Sequence, residues 1–272
     1  MTSEIQAKII EELEIVQDFN ADNEIQRRIN FLKNYLRGSG LKSFVLGISG
    51  GIDSTTAGTL AAIAVRELND EGYPCEFIAV RLPYGTQKDA DEAQEAINFI
   101  RPDDTLNINI EVPTDSLIYE IDCESASPIT KAQRDFHKGN IKARQRMVAQ
   151  YAVAGYHNGL VIGTDHGAEA VMGFFTKFGD GAADILPLSG LNKRRVRSIA
   201  AHLGVPANLV NKVPTADLED DRPQLPDEVA YGVTYDQIDD FLEGKEVGIE
   251  AHDIIVAAYI KTKHKRALPV TP

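Results

Sequence analysis

The sequence predicts an α/β protein: a doubly wound, parallel five-stranded sheet with helices on both faces. Three observations lead there. Short apolar runs bounded by turn residues alternate with longer amphipathic stretches, which is the pattern of successive βα units. A glycine-rich turn, Gly47-Ile48-Ser49-Gly50-Gly51-Ile52-Asp53-Ser54, follows the first apolar run. A second turn, Gly163-Thr164-Asp165, follows the fourth. In such sheets ligands bind where loops from strands of opposite winding meet.

Each element has its own signal. Ser3 caps a helix carrying Ile5, Ile9, Leu13 and Val16, and Asp22 or Asn23 caps a second with Ile25, Ile29, Leu32 and Leu36 on one face. Gly38-Ser39-Gly40 ends it. Residues 44–48 read as the first strand, 54–68 as a helix, 77–81 as the second strand and 89–100 as a helix broken by Pro102. Residues 106–112 alternate and read as a third strand, and 121–130 read as a variable polar stretch. A helix over 140–156 leads to a fourth strand at 160–162 and, after a glycine-rich loop, to a short fifth at 184–187. Residues 192–203 form a helix closed by Gly204 and Pro206. The prolines and acids of 214–227 mark a surface loop. Thr234 with Gln237 is a capping box for a helix to residue 242, and a last helix covers 249–261.

Composition narrows the class. The 272 residues suit one domain over 1–272. At 43% hydrophobic and 25% charged the chain has the balance of a soluble globular protein, and no apolar run approaches the roughly 20 residues of a membrane span. The acidic, amphipathic N-terminus is unlike a signal peptide. Two cysteines, Cys75 and Cys123, without a C-x-x-C pair, point to a reducing cytoplasm and inert thiols. A net charge of −13 argues against gripping nucleic acid. The basic run Lys193-Arg194-Arg195 with Arg197 reads as a helix face, with Arg194 and Arg195 mostly at the surface. The six histidines show no metal-ligand spacing such as H-E-x-x-H.

The first glycine turn carries the chemistry. Its backbone N–H groups and the following helix N-terminus form an anion site, most simply for phosphate. Asp53 within it would repel phosphates unless a cation intervenes, which implies Mg²⁺ with a polyphosphate. A Walker A loop is excluded, since no lysine occurs between Lys42 and Lys88. Gly47 to Gly51 also match the G-x-S-x-G elbow of a serine hydrolase using Ser49. That elbow follows the first strand, so no earlier strand can supply an oxyanion loop.

The string Ser49-Gly50-Gly51-Ile52-Asp53-Ser54 resembles the PP-loop of ATP pyrophosphatases. Taken with the segment GTDHGAEAVMGFFTKFGDGAADILPLSGLNK over 163–193, the chain resembles the ammonia-dependent NAD synthetases. Further agreement comes from Lys138 to Arg144, Pro214 to Leu218, and His264-Lys265-Arg266, so the resemblance spans roughly residues 24 to 266. It implies an adenine-nucleotide alpha-hydrolase-like sheet of order 3-2-1-4-5. It implies a homodimer with the acid substrate at the subunit interface, and a chain without a glutaminase domain. The implied reaction is ATP-dependent amidation of deamido-NAD by ammonia through an adenylylated intermediate. Another PP-loop amidating or adenylylating enzyme is the neighbouring reading.

The resemblance also implies roles. Gly47, Ile48, Ser49, Gly50, Gly51, Ile52, Asp53 and Ser54 hold ATP, with Thr164, Thr215 and Lys193. Arg81, at a strand end, lies near adenine or simply caps the strand. Asp53 and Glu169 bind Mg²⁺. Arg144, Lys177, Asp184, His264 and Lys265 contact deamido-NAD, whose diphosphate and carboxylate suit cations. Asp180, in a Gly179-Asp180-Gly181 turn, accepts a proton from the incoming ammonia or serves only as a turn residue. The loop over 173–184 is expected to order on substrate binding, and Phe174-Phe175 reads as core or lid packing.

Overall fold

A computed structural model describes residues 3–86, 89–124, 129–216 and 225–271. Four parallel strands form the main sheet: β1 (Ser43–Gly47), β2 (Glu76–Arg81), β3 (Asp104–Asn107) and β4 (Gly159–Val161), in the order β3-β2-β1-β4. Phe44 of β1 stands opposite Phe77 of β2 and Leu160 of β4. Alternation along the central strands splits the core into two layers. Phe44, Leu46, Phe77 and Ala79 pack under helices α2 (Ala21–Ser39), α3 (Ile52–Asp70), α4 (Ala90–Ile100) and α8 (Lys193–His202). Val45, Ile78, Val80 and Val161 face the opposite way, against Val153 and Ala154 of α6 (Lys131–Tyr156).

The expected five-stranded 3-2-1-4-5 sheet is corrected by these strands. The segment read as the fifth strand makes a single parallel bridge, Ile162 to Ile185. Two local causes are visible. The Asp184 carboxylate takes the Val161 N–H (2.7 Å), where a neighbouring strand would offer a carbonyl. Pro187 then removes a donor needed to extend pairing.

Other boundaries shift for reasons of capping. The third strand ends at Asn107, because Asn109 Oδ1 accepts from Glu111 N (2.9 Å) and starts α5 (Glu111–Glu124). Helix α6 begins at Lys131, nine residues before the expected start, on a capping box of Thr130 and Gln133. Asn20, not Asp22 or Asn23, caps α2. Of the expected polar stretch over 121–130, residues 125–128 lie outside the described residues, as do 217–224 of the expected loop over 214–227. The flanks of that loop pair antiparallel as β5 (Thr215–Ala216) and β6 (Leu225–Pro226).

A second apolar cluster joins α1 (Glu4–Glu12), α7 (Gly167–Met172), α11 (Tyr235–Leu242) and α12 (Ile249–Lys261) through Ile9, Val171, Tyr235, Phe241 and Ile255. Two short helices, α9 (Ala207–Val210) and α10 (Asp227–Tyr231), precede α11 in the chain, and α13 (Lys263–Arg266) follows α12. Among the described residues, no helix is long and apolar enough to cross a membrane.

Candidate active site

The glycine turn joins β1 to α3 beside the C-terminal end of β4. Gly50 has φ +80°, and a Cβ there would lie 2.6 Å from Ala93 N at the start of α4. Only glycine fits that approach. Hydroxyls pin the turn: Gly51 N donates to Ser49 Oγ (3.3 Å), and Ser54 Oγ donates to Gly51 O (3.2 Å). The first N–H groups of α3, at Ile52, Asp53 and Ser54, lack intrahelical acceptors by helix geometry. Two predicted ATP residues are otherwise engaged. Gly47 N donates to Gln150 Oε1 (2.7 Å), and Ile48 N donates to Val80 O (2.9 Å) with its side chain in the core. The Ile52 side chain is buried as well.

Across the turn lies a buried charged cluster. Lys193 Nζ, fully buried, donates to Asp53 Oδ2 at 2.7 Å. His166 Nε2 stands 3.5 Å from Asp53 Oδ1, 3.7 Å from Glu169 Oε1 and 3.3 Å from Lys193 Nζ. Three separate elements meet here: the start of α3, the N-terminus of α7, and the N-terminus of α8. Asp239 of α11 fixes the last, its carboxylate accepting from Lys193 N (3.0 Å) and Arg194 N (2.7 Å). Tyr235 of α11 lies under the Lys193 ammonium, 5.1 Å from it to the ring centre.

The electrostatics follow from this crowding. Burial pushes Asp53 up, but Lys193 more than offsets it and holds the carboxyl below its ordinary value. Burial, then the Asp53 charge, raise Glu169 well above the carboxylate range. Burial and the charges of Asp180 and Asp53 push Asp165 up to about 8. Burial and Lys193 drive His166 down to about 3, so its ring is neutral. Lys193 is pushed down by burial and raised further by Asp53 and Glu169, ending above its ordinary value.

This cluster fits a divalent cation. Asp53, His166 and Glu169 bring one donor atom each within 4.8 Å of one another, the group of that kind found among the described residues. Asp53 Oδ1 is buried and has no hydrogen-bond partner. An orphaned carboxylate oxygen beside a second, charge-starved carboxyl is the donor chemistry of a hard cation such as Mg²⁺.

The remaining predicted residues form an outer ring. Arg81 donates to Ala90 O (3.2 Å) and Gln94 Oε1 (3.4 Å), bracing α4. Thr164 is half-buried at the end of β4, and Thr215 lies in β5. A cavity of about 940 Å³ opens between α5, α6 and α13, lined among others by Phe136, Arg144, Thr176, Lys177, His264 and Lys265. Arg134 pairs with Asp122 and Lys138 with Asp115, and three further cations rest on backbone carbonyls. Arg144 donates to Lys177 O (3.3 Å), Lys177 to His264 O (2.6 Å), and Lys265 to Gly173 O (2.9 Å) and Phe175 O (2.8 Å). Asp184 is occupied as a support for β4 and accepts from Tyr151 (3.4 Å). Asp180 Oδ1 accepts from Thr176 N (2.9 Å). The protein packed around that carboxyl raises its pKa against the Thr176 bond. The residue also lies open to solvent, so this shift counts for less than those of Asp165 and Glu169.

Sequence reasoning missed three participants. His166 lies in no metal motif, yet it precedes Glu169 by three residues at a helix start, a spacing that brings both to one side. Asp165 and Asp239 carry no local signature. One surface assignment is corrected: Arg195 is buried at 7% exposure and donates to Val16 O, while Arg194 pairs with Asp236, Asp240 and Glu243. The thiols Cys75 and Cys123 are both free, with Cys75 pushed up to about 11 by burial and by Asp103.

Comparison with known proteins completes the picture. The family model described as NAD synthase matches residues 24–269. The NH(3)-dependent NAD(+) synthetase of Paraburkholderia phytofirmans is 59% identical over 267 residues, covering 98% of this chain and 93% of the relative. The crystal structure of NAD+ synthetase from Burkholderia pseudomallei superposes with a TM-score of 0.84 at 53% identity, covering 97% of each chain. The structure of NMN synthetase from Francisella tularensis gives a TM-score of 0.81 at 36% identity, covering 94% of this chain and 99% of that one. With a PP-loop at the switch point, an acid pair facing it and a matched model over nearly its whole length, the chain belongs to the NAD synthase family.

Proposed function

We infer that the chain amidates the nicotinate carboxylate of deamido-NAD with ammonia, cleaving ATP to AMP and pyrophosphate. The observation that carries this reading is the PP-loop on α3 facing Glu169 and Lys193 across the β1–β4 junction. A carboxylate does not acylate ammonia, whereas its mixed anhydride with AMP does. The protein therefore needs to position reactants and stabilise departing pyrophosphate, and needs no nucleophile of its own.

The turn from Ser49 to Ser54 receives the phosphates on backbone N–H groups and hydroxyls. Lys193 supplies positive charge from below, and Thr164, Thr215 and Arg81 line the nucleotide's path. Asp53 and Glu169 would hold Mg²⁺, which when bound neutralises charge on the leaving pyrophosphate. Arg144, Lys177, His264 and Lys265 face the acid substrate from the outer cavity, and Asp184 contacts it from the segment that follows β4. Asp180 takes a proton from the attacking ammonia. The nitrogen comes as ammonia, free or delivered by another protein, and residues 1–272 act as one catalytic domain in the cytoplasm.

Two copies pair through α5 and α6. These helices expose Leu117, Tyr119, Ile121, Phe136, Val148 and Tyr156, the last at 90%, apolar side chains that a second copy would cover. The cavity for the acid substrate opens beside that face, so a second copy would close it.

The direct test supplies deamido-NAD, ATP, Mg²⁺ and ammonium and looks for NAD, AMP and pyrophosphate. Nicotinate mononucleotide is run in parallel, because the Francisella neighbour is described as an NMN synthetase. Preference for the mononucleotide would move the substrate assignment and leave the chemistry in place. Absence of AMP with either acid would overturn the reading.

A further inference from the structure

We propose that Gln150 is the positioning residue for the glycine turn: its side-chain carbonyl holds the ends of β1 and β4 apart and sets where the turn begins. The proposal rests on the reading of residues 49–54 as the seat of the ATP phosphates.

The sheet shows what Gln150 replaces. β1 and β4 run parallel in the register Ser43↔Gly159, Phe44↔Leu160 and Val45↔Val161. Ile162 N then donates to Val45 O at 2.9 Å. In a parallel ladder the next rung would run from Gly47 N to the Ile162 carbonyl. Among the described residues that rung is not made. Gly47 N turns to Gln150 Oε1 instead, at 2.7 Å. On its other side β1 stays zipped to β2, with Gly47 opposite Val80 and Ile48 N on Val80 O (2.9 Å). The sheet therefore splits on one side only, between β1 and β4, immediately before the turn. An N–H left unmet at the head of the sheet would be costly, and a side-chain carbonyl meets it without a strand.

Local chemistry fixes the amide in this pose. Gln150 Nε2 donates to Arg146 O (3.4 Å), one turn back on its own helix, which leaves Oε1 for Gly47. A flipped amide would set an NH2 group against the Gly47 N–H. Gly47 gives the amide room: a Cβ there would lie 3.1 Å from Oε1 and 3.3 Å from Cδ, tighter than ordinary contact. Arg146 Nε donates to Leu82 O (3.0 Å), just past β2. Two residues four apart on α6 thus brace the ends of both central strands. The parted ends lie at the switch point, where such sheets place their ligand. Without the Gln150 carbonyl, Gly47 N is free to take the Ile162 carbonyl. That would zip the crevice one rung further and shift the turn against its phosphates.

The test measures deamido-NAD-dependent exchange of pyrophosphate into ATP on the full-length protein, with the fold of each variant checked by circular dichroism. Gln150→Met keeps the length and bulk of the side chain but has no carbonyl. Its KM for ATP should rise about tenfold, with KM for deamido-NAD within about threefold of the parent. Gln150→Glu keeps an acceptor while adding a charge, and its KM for ATP should lie below that of Gln150→Met by about threefold or more. The order of the two variants decides the role, because a side chain that only filled space would be replaced better by methionine than by a carboxylate. Should Gln150→Met not fold, Gln150→Leu, which also lacks the acceptor, carries the same expectation. If neither folds, the side chain serves stability alone and the proposal fails. A parent-like KM for ATP in Gln150→Met, a rise in Gln150→Glu as large as in Gln150→Met, or equal rises for both substrates would each overturn it. Asp53→Asn separates the two layers. If it exchanges like the parent, the turn is not the phosphate seat and the proposal falls with it. If it fails while Gln150→Met does not, only the role of Gln150 is lost.

Discussion

The inner and outer halves of the cleft are built on opposite plans. In the inner half, Asp53, His166, Glu169 and Lys193 interlock within 3.7 Å, mostly out of water, on the ends of three helices. In the outer half, Arg144, Lys177 and Lys265 spread around a cavity of about 940 Å³ and donate to backbone carbonyls. Among the described residues, none of those three cations forms a close ion pair, although the Asp180 charge acts on Lys265. The inner half holds surplus acid and is set to receive a cation; the outer half holds spare positive charge and is set to receive an anion. Rigid helix termini suit phosphoryl chemistry, where small displacements cost much rate. Loop and terminal segments suit a substrate that must enter and leave.

If that contrast is right, the inner half should fail in rate and the outer half in affinity. The largest effect is expected for Asp53→Asn, which removes the charge and keeps the shape. Adenylyl transfer, measured as pyrophosphate exchange, should fall by about 3–4 kcal/mol in barrier terms. Stability should fall less, by about 1–3 kcal/mol, because the amide oxygen still accepts from buried Lys193. Normal turnover would remove Asp53 from the cation site.

Arg144→Ala should act on the other side of the contrast. Losing one charge-assisted contact should raise KM for deamido-NAD by about ten- to a hundredfold and leave KM for ATP near the parent value. Equal increases in both constants would mean that the two halves do not work separately.

The ammonia step offers a smaller, graded effect. At fixed, subsaturating total ammonium, the rate should climb from neutral pH by up to about tenfold per unit, following the free base. A rate that falls across that range in folded enzyme would mean that ammonium itself is bound and stripped of its proton, with Asp180 the first candidate.

The smallest effect concerns the loop over 173–184. Lys177 and Lys265 lash it to the C-terminal segment, and Gly173 packs so closely on Thr262 that a Cβ would lie 2.3 Å from that side chain. Cleavage at Lys177 by trypsin should be slowed further by ATP, Mg²⁺ and deamido-NAD together. Equal rates with and without substrates would show that the loop does not act as a lid.

How much of this was legible depended on whether the signal was local. β1 and β2 could be read because every residue of their cores is apolar and turn residues bound them. The glycine turn could be read because Gly50 answers a local demand, a positive φ against a neighbouring helix. The start of α5 could not, since Leu106 to Val112 alternates as a strand would while the decisive bond is made by the Asn109 side chain. Nor could the fate of Arg195, whose partners, Val16 and Glu243, come from distant segments. His166 shows the same limit. Its meaning depends on Asp53, more than a hundred residues earlier, and no spacing rule spans that gap.

The Asp184 carboxylate on the Val161 N–H has a consequence for solubility. β4 is the last true strand on its side, and an uncovered strand edge is a template for pairing with another molecule. Here a side chain occupies that donor, and Pro187 stops the adjoining segment from adding more rungs. The sheet is closed off by an acid and a proline in place of a full fifth strand. An Asp184→Ala protein would therefore expose a sticky edge as well as lose a residue proposed to contact the substrate. Its lost activity would have to be judged alongside light scattering before being charged to catalysis.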